Sequence, residues 1–192
     1  GMFLWLTASV AYLAMIGAEV SVGQSIGAKR MKRAAIFASH ATTTAIVLGI
    51  VWSAFLFIFA PYILSFFKLD ADITADAVLY LRILTICLPF QFVAYSLSGV
   101  YNGAGRSIIP FRNNAAGLVL NMILDPILMF GMDMGLHGAA VGTVAAQLFV
   151  FSLFVYQIKF GSRILGNFSF LTKPRSIYLK RIFFLGTPVS IM

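Results

Sequence analysis

Apolar residues occur along this sequence in blocks of about 20, the length that an α-helix needs to cross a bilayer, and short polar stretches separate the blocks. The pattern predicts five complete transmembrane helices and the beginning of a sixth, at residues 2–22, 35–60, 77–101, 114–131, 138–158 and from 182 onward. The second can continue past Pro61 as far as Phe67. The sixth stops after about eleven residues, so we expect this chain to be part of a longer protein.

The basic residues alternate between the predicted loops and thereby orient the chain. Twelve of the 14 Lys and Arg residues lie after the first, third and fifth helices: Lys29, Arg30, Lys32, Arg33, Arg106, Arg112, Lys159, Arg163, Lys173, Arg175, Lys180 and Arg181. The other loops hold Asp70, Asp72, Asp76 and Asp133, with Lys68 as their single basic residue. The positive-inside rule places the basic side in the cytoplasm. The chain then starts outside, which leads us to expect a further helix upstream.

Composition supports a membrane protein and excludes several other classes. The chain is 60% hydrophobic and 10% charged, with a mean hydropathy of +0.94, whereas an ordinary soluble domain has about 25% charged residues. The net charge of +8 would suggest nucleic acid in a soluble protein, but these charges flank apolar blocks, so we expect a lipid bilayer and no nucleic acid as partner. Cys87 is the single cysteine, which excludes a disulfide framework and a cysteine metal cluster. A phosphate-binding loop for ATP is also absent from the sequence.

Four ionisable residues fall inside predicted helices, where each is a candidate for function because a charge in hydrocarbon is costly. They are Glu19, His40, Arg82 and Asp125. Arg82 lies close to the outer end of its helix, near Asp76, so we interpret it as an interfacial anchor. We expect His40 to hydrogen-bond to another helix and Glu19 to be hydrated or paired with Lys. These readings leave Asp125 as the functional candidate.

Asp125 lies well inside its predicted helix and has polar neighbours. Asn121 is four residues earlier and therefore on the same face, and Pro126 cannot donate a hydrogen bond to the carbonyl of Met122. Three oxygen-bearing groups within one turn suit a hard cation such as Na⁺, or a proton on the carboxylate. Residue counting at 1.5 Å per residue places Thr143 of the next helix at a similar depth. A GxxxG pattern at Gly138 and Gly142 allows the two helices to approach closely.

Several motifs in order resemble the multidrug and toxic compound extrusion (MATE) family, of the NorM and DinF type. They are residues 23–30 (GQSIGAKR), 102–106 (NGAGR) with Pro110, 121–131 (NMILDPILMFG), 138–147 (GAAVGTVAAQ), and Gly186 with Pro188. The resemblance covers essentially the whole chain. It implies an all-α polytopic bundle that forms half of a two-lobe, twelve-helix transporter and includes family helices two to six and the start of seven.

The resemblance also implies a division of the chain and a function. Residues 1–158 would form the bundle of the N-terminal lobe, residues 159–181 a cytoplasmic inter-lobe linker, and residues 182–192 the start of the second lobe. The protein would export small organic, often cationic, compounds across the cytoplasmic membrane in exchange for Na⁺ or H⁺, without a cofactor, and together with the rest of the transporter. In the DinF-like branch, the matching cation ligands are Asn121, Asp125 and Thr143, whereas the Asp of family helix one has no counterpart here. Pro126 and Pro89 are the predicted helix hinges.

Three alternatives remain beside this interpretation. A flippase for lipid-linked oligosaccharides from the same superfamily would have several Lys and Arg residues in its cavity, but here only Arg82 lies in the membrane zone. An intramembrane enzyme would need His40 and Asp125 together, although residue counting places them near opposite faces. A purely structural membrane subunit is the third alternative.

Overall fold

A computed structural model describes residues 2–67, 70–160, 168–173, 177–178, 180–182 and 184. Up to Phe160, the described residues form six α-helices: α1 (Met2–Gly27), α2 (Met31–Ser65), α3 (Ala71–Thr85), α4 (Leu88–Gly103), α5 (Ile108–Pro126) and α6 (Gly135–Phe160). A π-helical turn, Ile127–Gly131, extends α5. Four helices among the described residues are long and apolar enough to cross a membrane, and the bent pair of α3 and α4 adds a fifth span if the two together cross it. The predicted all-α helical bundle is therefore confirmed, with four or five apolar spans.

The observed helices are longer than the hydropathy blocks. The first helix continues beyond residue 22 to Gly27, where Lys29 adopts a left-handed φ of 58° and the Arg30 amide donates to the Ser25 carbonyl (2.8 Å). This bonding pattern is a common helix end. The second helix passes through Pro61 and ends at Ser65. Its 35 residues span about 52 Å at 1.5 Å per residue, so it extends beyond a hydrocarbon core of about 30 Å.

The predicted continuous helix at residues 77–101 is wrong, because the span is broken between α3 and α4. The two helices are bent by 48° across Ile86 and Cys87. Pro89, in the first turn of α4, has no N–H for the carbonyl of Thr85. The Ser53 hydroxyl of α2 donates to that carbonyl instead, at 2.7 Å. A β-carbon on Gly49 would lie 2.8 Å from the Pro89 Cα, so α2 supports the break by close contact.

Two layers of packing hold the helices together. In the first layer, α1, α2 and α4 contact one another, and small residues such as Ala11, Ala14 and Ala18 fill the interface. In the second, α6 packs against α3, α4 and α5. Phe154 of α6 is fully buried against Leu97 and Tyr101 of α4. The two layers share α4, which therefore forms the centre of the bundle.

The α5 helix lies at the edge of the bundle and packs mainly on α6. Only Pro110, Asn113 and Gly117 of this helix are buried, while large apolar side chains such as Phe111 and Met122 are exposed. Apolar exposure of this kind is expected where a helix faces lipid or another transmembrane element.

We name the two ends of the bundle after the charge of the segments that connect the helices there. The basic end holds residues 28–30 and 104–107 and the end of α6, and the acidic end holds residues 66–67, 70 and 132–134. The predicted linker at 159–181 begins inside α6, which ends at Phe160, and residues 177–178 and 180–182 are again helical. Of the predicted start of the second lobe, all but residues 182 and 184 lie outside the described part of the chain, so the division into lobes stays a prediction.

Candidate functional site

Asn121 and Asp125 form a hydrogen-bonded pair on one face of α5. The Nδ2 atom of Asn121 donates to Oδ1 of Asp125 at 2.8 Å, and both side chains are half-buried. This bond leaves the amide oxygen of Asn121 and the second carboxylate oxygen of Asp125 as further acceptors. The predicted pairing of these two residues is thus present in the structure.

The α6 helix passes this pair at the two glycines of the GxxxG pattern. A β-carbon on Gly142 would collide with Oδ1 of Asp125. A β-carbon on Gly138 would lie 2.7 Å from the backbone carbonyl carbon of Leu128 and 2.9 Å from the amide of Met129. Only residues without a side chain permit so close an approach. The predicted antiparallel contact at this depth therefore occurs, and residue counting located it to within one residue.

Thr143 follows Gly142 and lies beside a cavity of about 230 Å³ in the interior of the bundle. Its hydroxyl donates to the carbonyl of Ala139 at 2.9 Å, so the lone pairs of the oxygen remain as acceptors. Within the part of the chain that the structure describes, no hydrogen bond joins Thr143 to Asp125. The structure thus brings Asn121 and Asp125 together and sets Thr143 one residue beyond their contact with α6.

The described residues that line the cavity beside Thr143 contribute mainly apolar atoms and no charged side chain. Its polar lining residues are Thr7, Thr85, Gln91, Tyr95 and Thr143. Tyr95 also packs edge to face against Tyr12, with ring centroids 5.4 Å apart. A mostly apolar cavity with a few convergent polar groups is typical of sites for small organic molecules. Sequence reasoning missed Gln91 and Tyr95, because neither side chain is charged near neutral pH.

The helix changes its hydrogen bonding next to Asp125. After Pro126 the backbone forms the π-helical turn, in which the Met132 amide donates to the carbonyl of Ile127, five residues earlier, at 2.9 Å. Turns of this type are rare and often occur at functional sites. Both predicted hinge prolines therefore lie at an end of a regular α-helix: Pro126 is the last residue of α5, and Pro89 lies in the first turn of α4.

The other ionisable residues within the helices have contacts of their own. Asn102 of α4 donates to the Glu19 carboxylate at 3.4 Å, and the guanidinium of Arg82 lies 5.1 Å from the centre of the Phe57 ring. Asp76 lies 3.6 Å from His137 at the start of α6. The Nδ1 atom of His40 lies 3.4 Å from the hydroxyl of Thr172, in the segment after α6. The helix-to-helix hydrogen bond expected of His40 stays a prediction.

A buried amide pair between α5 and α6 was also missed by the sequence analysis. Asn113 donates to Gln157 at 3.0 Å, and Gln157 donates back to Asn113 at 2.8 Å. Asn113 is only 2% exposed. The counting argument that placed Thr143 near Asp125 would have found this pair, had it been continued toward the basic end of the same hairpin.

The donors around Asp125 suit a hard cation rather than a transition metal. No group of three His, Cys, Asp or Glu side chains comes together among the residues that the structure describes. The carboxylate of Asp125, the amide of Asn121 and the hydroxyl of Thr143 instead offer oxygen atoms, which Na⁺ and other hard cations prefer.

Comparison with known proteins agrees with a membrane transporter made of packed apolar helices. The model of the MatE family matches residues 1–127, which is more than half of the chain. The chain belongs to the MatE family of transporters, whose members are integral membrane proteins and not enzymes.

Named relatives and solved structures show the extent of this similarity. The chain is 30% identical over 181 residues to multidrug export protein MepA of Staphylococcus aureus strain MSSA476, which covers 92% of the chain and 39% of MepA. It is 27% identical over 147 residues to the probable multidrug resistance protein YoeA of Bacillus subtilis strain 168, covering 74% of the chain and 32% of YoeA. A crystal structure of MATE in the bent conformation superposes with a TM-score of 0.90 at 22% identity, over 99% of this chain and 42% of that one. The chain therefore spans about two fifths of the length of MepA and of this MATE structure.

Proposed function

We propose that this chain is the lobe-forming part of an antiporter that exports organic, often cationic, compounds across the cytoplasmic membrane in exchange for Na⁺ or H⁺. The observation that carries the proposal is the Asp125 carboxylate, which is hydrogen-bonded to Asn121 and packed against Gly142 next to Thr143. A carboxylate within an apolar helical hairpin is costly unless polar partners or a bound cation accompany it. The names of MepA and YoeA, both multidrug proteins, support the export function.

In this mechanism a cation or a proton binds at Asp125 and shifts the balance between two conformations of the transporter. Such a shift requires that the two conformations bind the cation with different affinity. The amide oxygen of Asn121 and the hydroxyl of Thr143 would complete the ligand set for Na⁺. The π-helical turn after Pro126 and the break before Pro89 are places where the helices can bend in response.

The cavity supports an organic substrate in preference to an anionic lipid-linked sugar. Its lining is uncharged and mostly apolar, whereas a flippase for anionic substrates calls for Lys and Arg. Its volume of about 230 Å³ is below the roughly 300–1,000 Å³ of sites for drug-sized molecules. The remainder of the transporter would therefore complete the substrate site.

The test is the Asp125→Asn variant of the full-length transporter. The protein is reconstituted in vesicles, and Na⁺ and pH gradients are imposed separately. We expect this variant to lose cation-driven export of organic cations while it is inserted at the normal level, and the gradient that drives the wild type identifies the coupling ion. Asp133→Asn, in the connection at the acidic end, is the matched control and should export normally. Wild-type rates for Asp125→Asn would remove the central residue from the proposal.

Thr143 provides a second, more specific arm of the same test. Thr143→Val removes the hydroxyl and keeps the shape, so we expect a weaker apparent affinity for the driving cation if that cation is Na⁺. Thr143→Ser keeps the oxygen and should restore the affinity. Equal affinities for the two variants would mean that the Thr143 hydroxyl is not a ligand.

A further inference from the structure

A short extended segment after α6 is hydrogen-bonded to the side chains of α2 near the basic end. We call residues 168–173 the strap. The Ser169 amide donates to the Ser39 hydroxyl at 3.0 Å, and the Thr172 amide donates to the Thr43 hydroxyl at 3.1 Å. Ser39 and Thr43 are one helical turn apart, so they lie on the same face of α2. The face of α2 that carries Ser39 and Thr43 thus binds the backbone of the strap.

The Thr43 hydroxyl is the centre of this contact. It lies 2.9 Å from the carbonyl of Ser39, 3.3 Å from the carbonyl of Phe170 and 3.3 Å from the hydroxyl of Thr172. Its single proton can bond to its own helix or to the strap, and its lone pairs accept the Thr172 amide. One side chain therefore connects three groups of the strap to α2.

Alternate residues of the strap point into the bundle and away from it. Phe168, Phe170 and Thr172 are half-buried, whereas Ser169, Leu171 and Lys173 are exposed, which is the period of two expected for an extended chain. Phe168 packs against both apolar clusters at this end, one centred on α1 and α2 and the other on α4 and α6, and Phe170 packs against the second. The strap therefore covers the gap between α2, α4 and α6.

The chain beyond the strap is fastened to the same end of the bundle. Tyr178 stacks on His40, with ring centroids 4.8 Å apart and planes inclined by 15°. Arg181 donates to the side-chain oxygen of Gln24 in α1 at 2.9 Å. Ile182 is 1% exposed and packs against Gly17. The chain on the C-terminal side of the strap is therefore also held at the basic end of the bundle.

We propose that the strap is a releasable gate that closes the basic end of this lobe and leaves α2 during each transport cycle. This inference rests on the proposed function, because a gate is needed only in a transporter that alternates between two conformations. The closure consists of two phenylalanines and a few neutral hydrogen bonds, each with a net contribution of only about 1 kcal/mol. Contacts of this strength hold the strap in place and still permit it to separate on the timescale of transport.

A disulfide between the strap and α2 tests the proposal in the complete protein. In a Cys87→Ala background, Thr43→Cys with Thr172→Cys places the two sulfur atoms near the positions of hydroxyls that are 3.3 Å apart, within reach of a disulfide. Oxidation should crosslink the two cysteines. The crosslink is detected after digestion with trypsin, because the disulfide keeps the two cysteine-containing fragments together. Export should then fall by about tenfold or more and recover on reduction, since a gate that cannot open blocks the cycle.

The controls separate docking from gating. Each single cysteine variant should export normally under oxidation, and Ser65→Cys with Thr172→Cys should not crosslink, because Ser65 lies at the opposite end of α2. Failure of the Thr43 and Thr172 pair to crosslink would overturn the docking. Efficient crosslinking with unchanged export would show that the strap is a fixed part of the fold and overturn the gate.

Cysteine labelling tests the opening of the strap without measuring export, so it still applies if the proposed function is wrong. In the single variant Thr172→Cys, the thiol should react with a hydrophilic maleimide at a rate that changes with Na⁺ or pH relative to the rate of Ser169→Cys under the same conditions. Ser169→Cys, at an exposed position, should react quickly under all conditions. If Thr172→Cys stays unreactive while Ser169→Cys is labelled, the strap does not open. Wild-type export by Asp125→Asn, together with labelling of Thr172→Cys that still changes with Na⁺ or pH, would instead reject the proposed coupling site alone.

Discussion

Gly142 passes Asp125 so closely that a β-carbon on the glycine would collide with the carboxylate oxygen Oδ1. The same helix meets the backbone of Leu128 and Met129 at Gly138, one turn earlier. The two glycines thus have different neighbours, since one faces a side chain that can rotate and the other faces backbone that cannot. This difference allows the effect on the site to be separated from the effect on packing.

We predict that Gly142→Ala impairs cation-coupled export more than it impairs stability. The new methyl group would displace the Asp125 carboxylate, which can turn away with little effect on the fold. Gly138→Ala should instead lower the stability by about 1–3 kcal/mol, because its methyl group meets fixed backbone. Thermal unfolding in detergent and export in vesicles, measured on both variants, check the contrast.

Gly27→Ala is the control for both variants, because nothing lies within 4 Å of a β-carbon at this position. It should match the wild type in unfolding temperature and in export. The interpretation of the Asp125 site would be wrong if Gly142→Ala exported at the wild-type rate with an unchanged cation dependence.

The reciprocal amide pair gives a second prediction, about stability. Gln157→Ala leaves the buried amide of Asn113 without its partner, so we expect it to cost about 1–3 kcal/mol. Asn113→Ala leaves the half-buried amide of Gln157 and should cost less. The double variant should be less destabilised than the sum of the two, because no orphan amide remains, and the coupling should be about 0.5–2 kcal/mol. Thermal unfolding of the four proteins in one detergent measures this coupling. Additive effects would show that the two amides do not act as a pair.

Much of the fold could be predicted from the sequence because its signals are local. Apolar blocks of spanning length and the alternation of Lys and Arg between loops located the apolar helices of the bundle without tertiary information. The depth of Asp125 relative to α6 followed from counting residues in a hairpin with a short connection. The Asn113 and Gln157 pair obeys the same geometry, so it was within reach of the method.

The break in the third span and the docked strap could not be predicted in this way. A proline such as Pro89 can kink a helix or begin a new one, and the outcome here depends on Ser53 and Gly49 of α2, which are distant in sequence. Likewise, the hydroxyl of Thr43 can bond to its own helix, to another helix or to a loop. Only the position of residues 168–173 decides between these partners.

The final prediction concerns the orientation of the bundle, which the distribution of basic residues implies. In a Cys87→Ala background, Asp72→Cys at the acidic end and Lys32→Cys at the basic end both place a thiol at an exposed position. A membrane-impermeant thiol reagent added to intact cells should label Asp72→Cys, and it should label Lys32→Cys only after permeabilisation, because the basic end faces the cytoplasm. The reverse labelling would place the strap outside the cell, and the proposed gate would then close the outer mouth of the lobe. The same two variants therefore test the topology and fix the side of the membrane on which the strap acts.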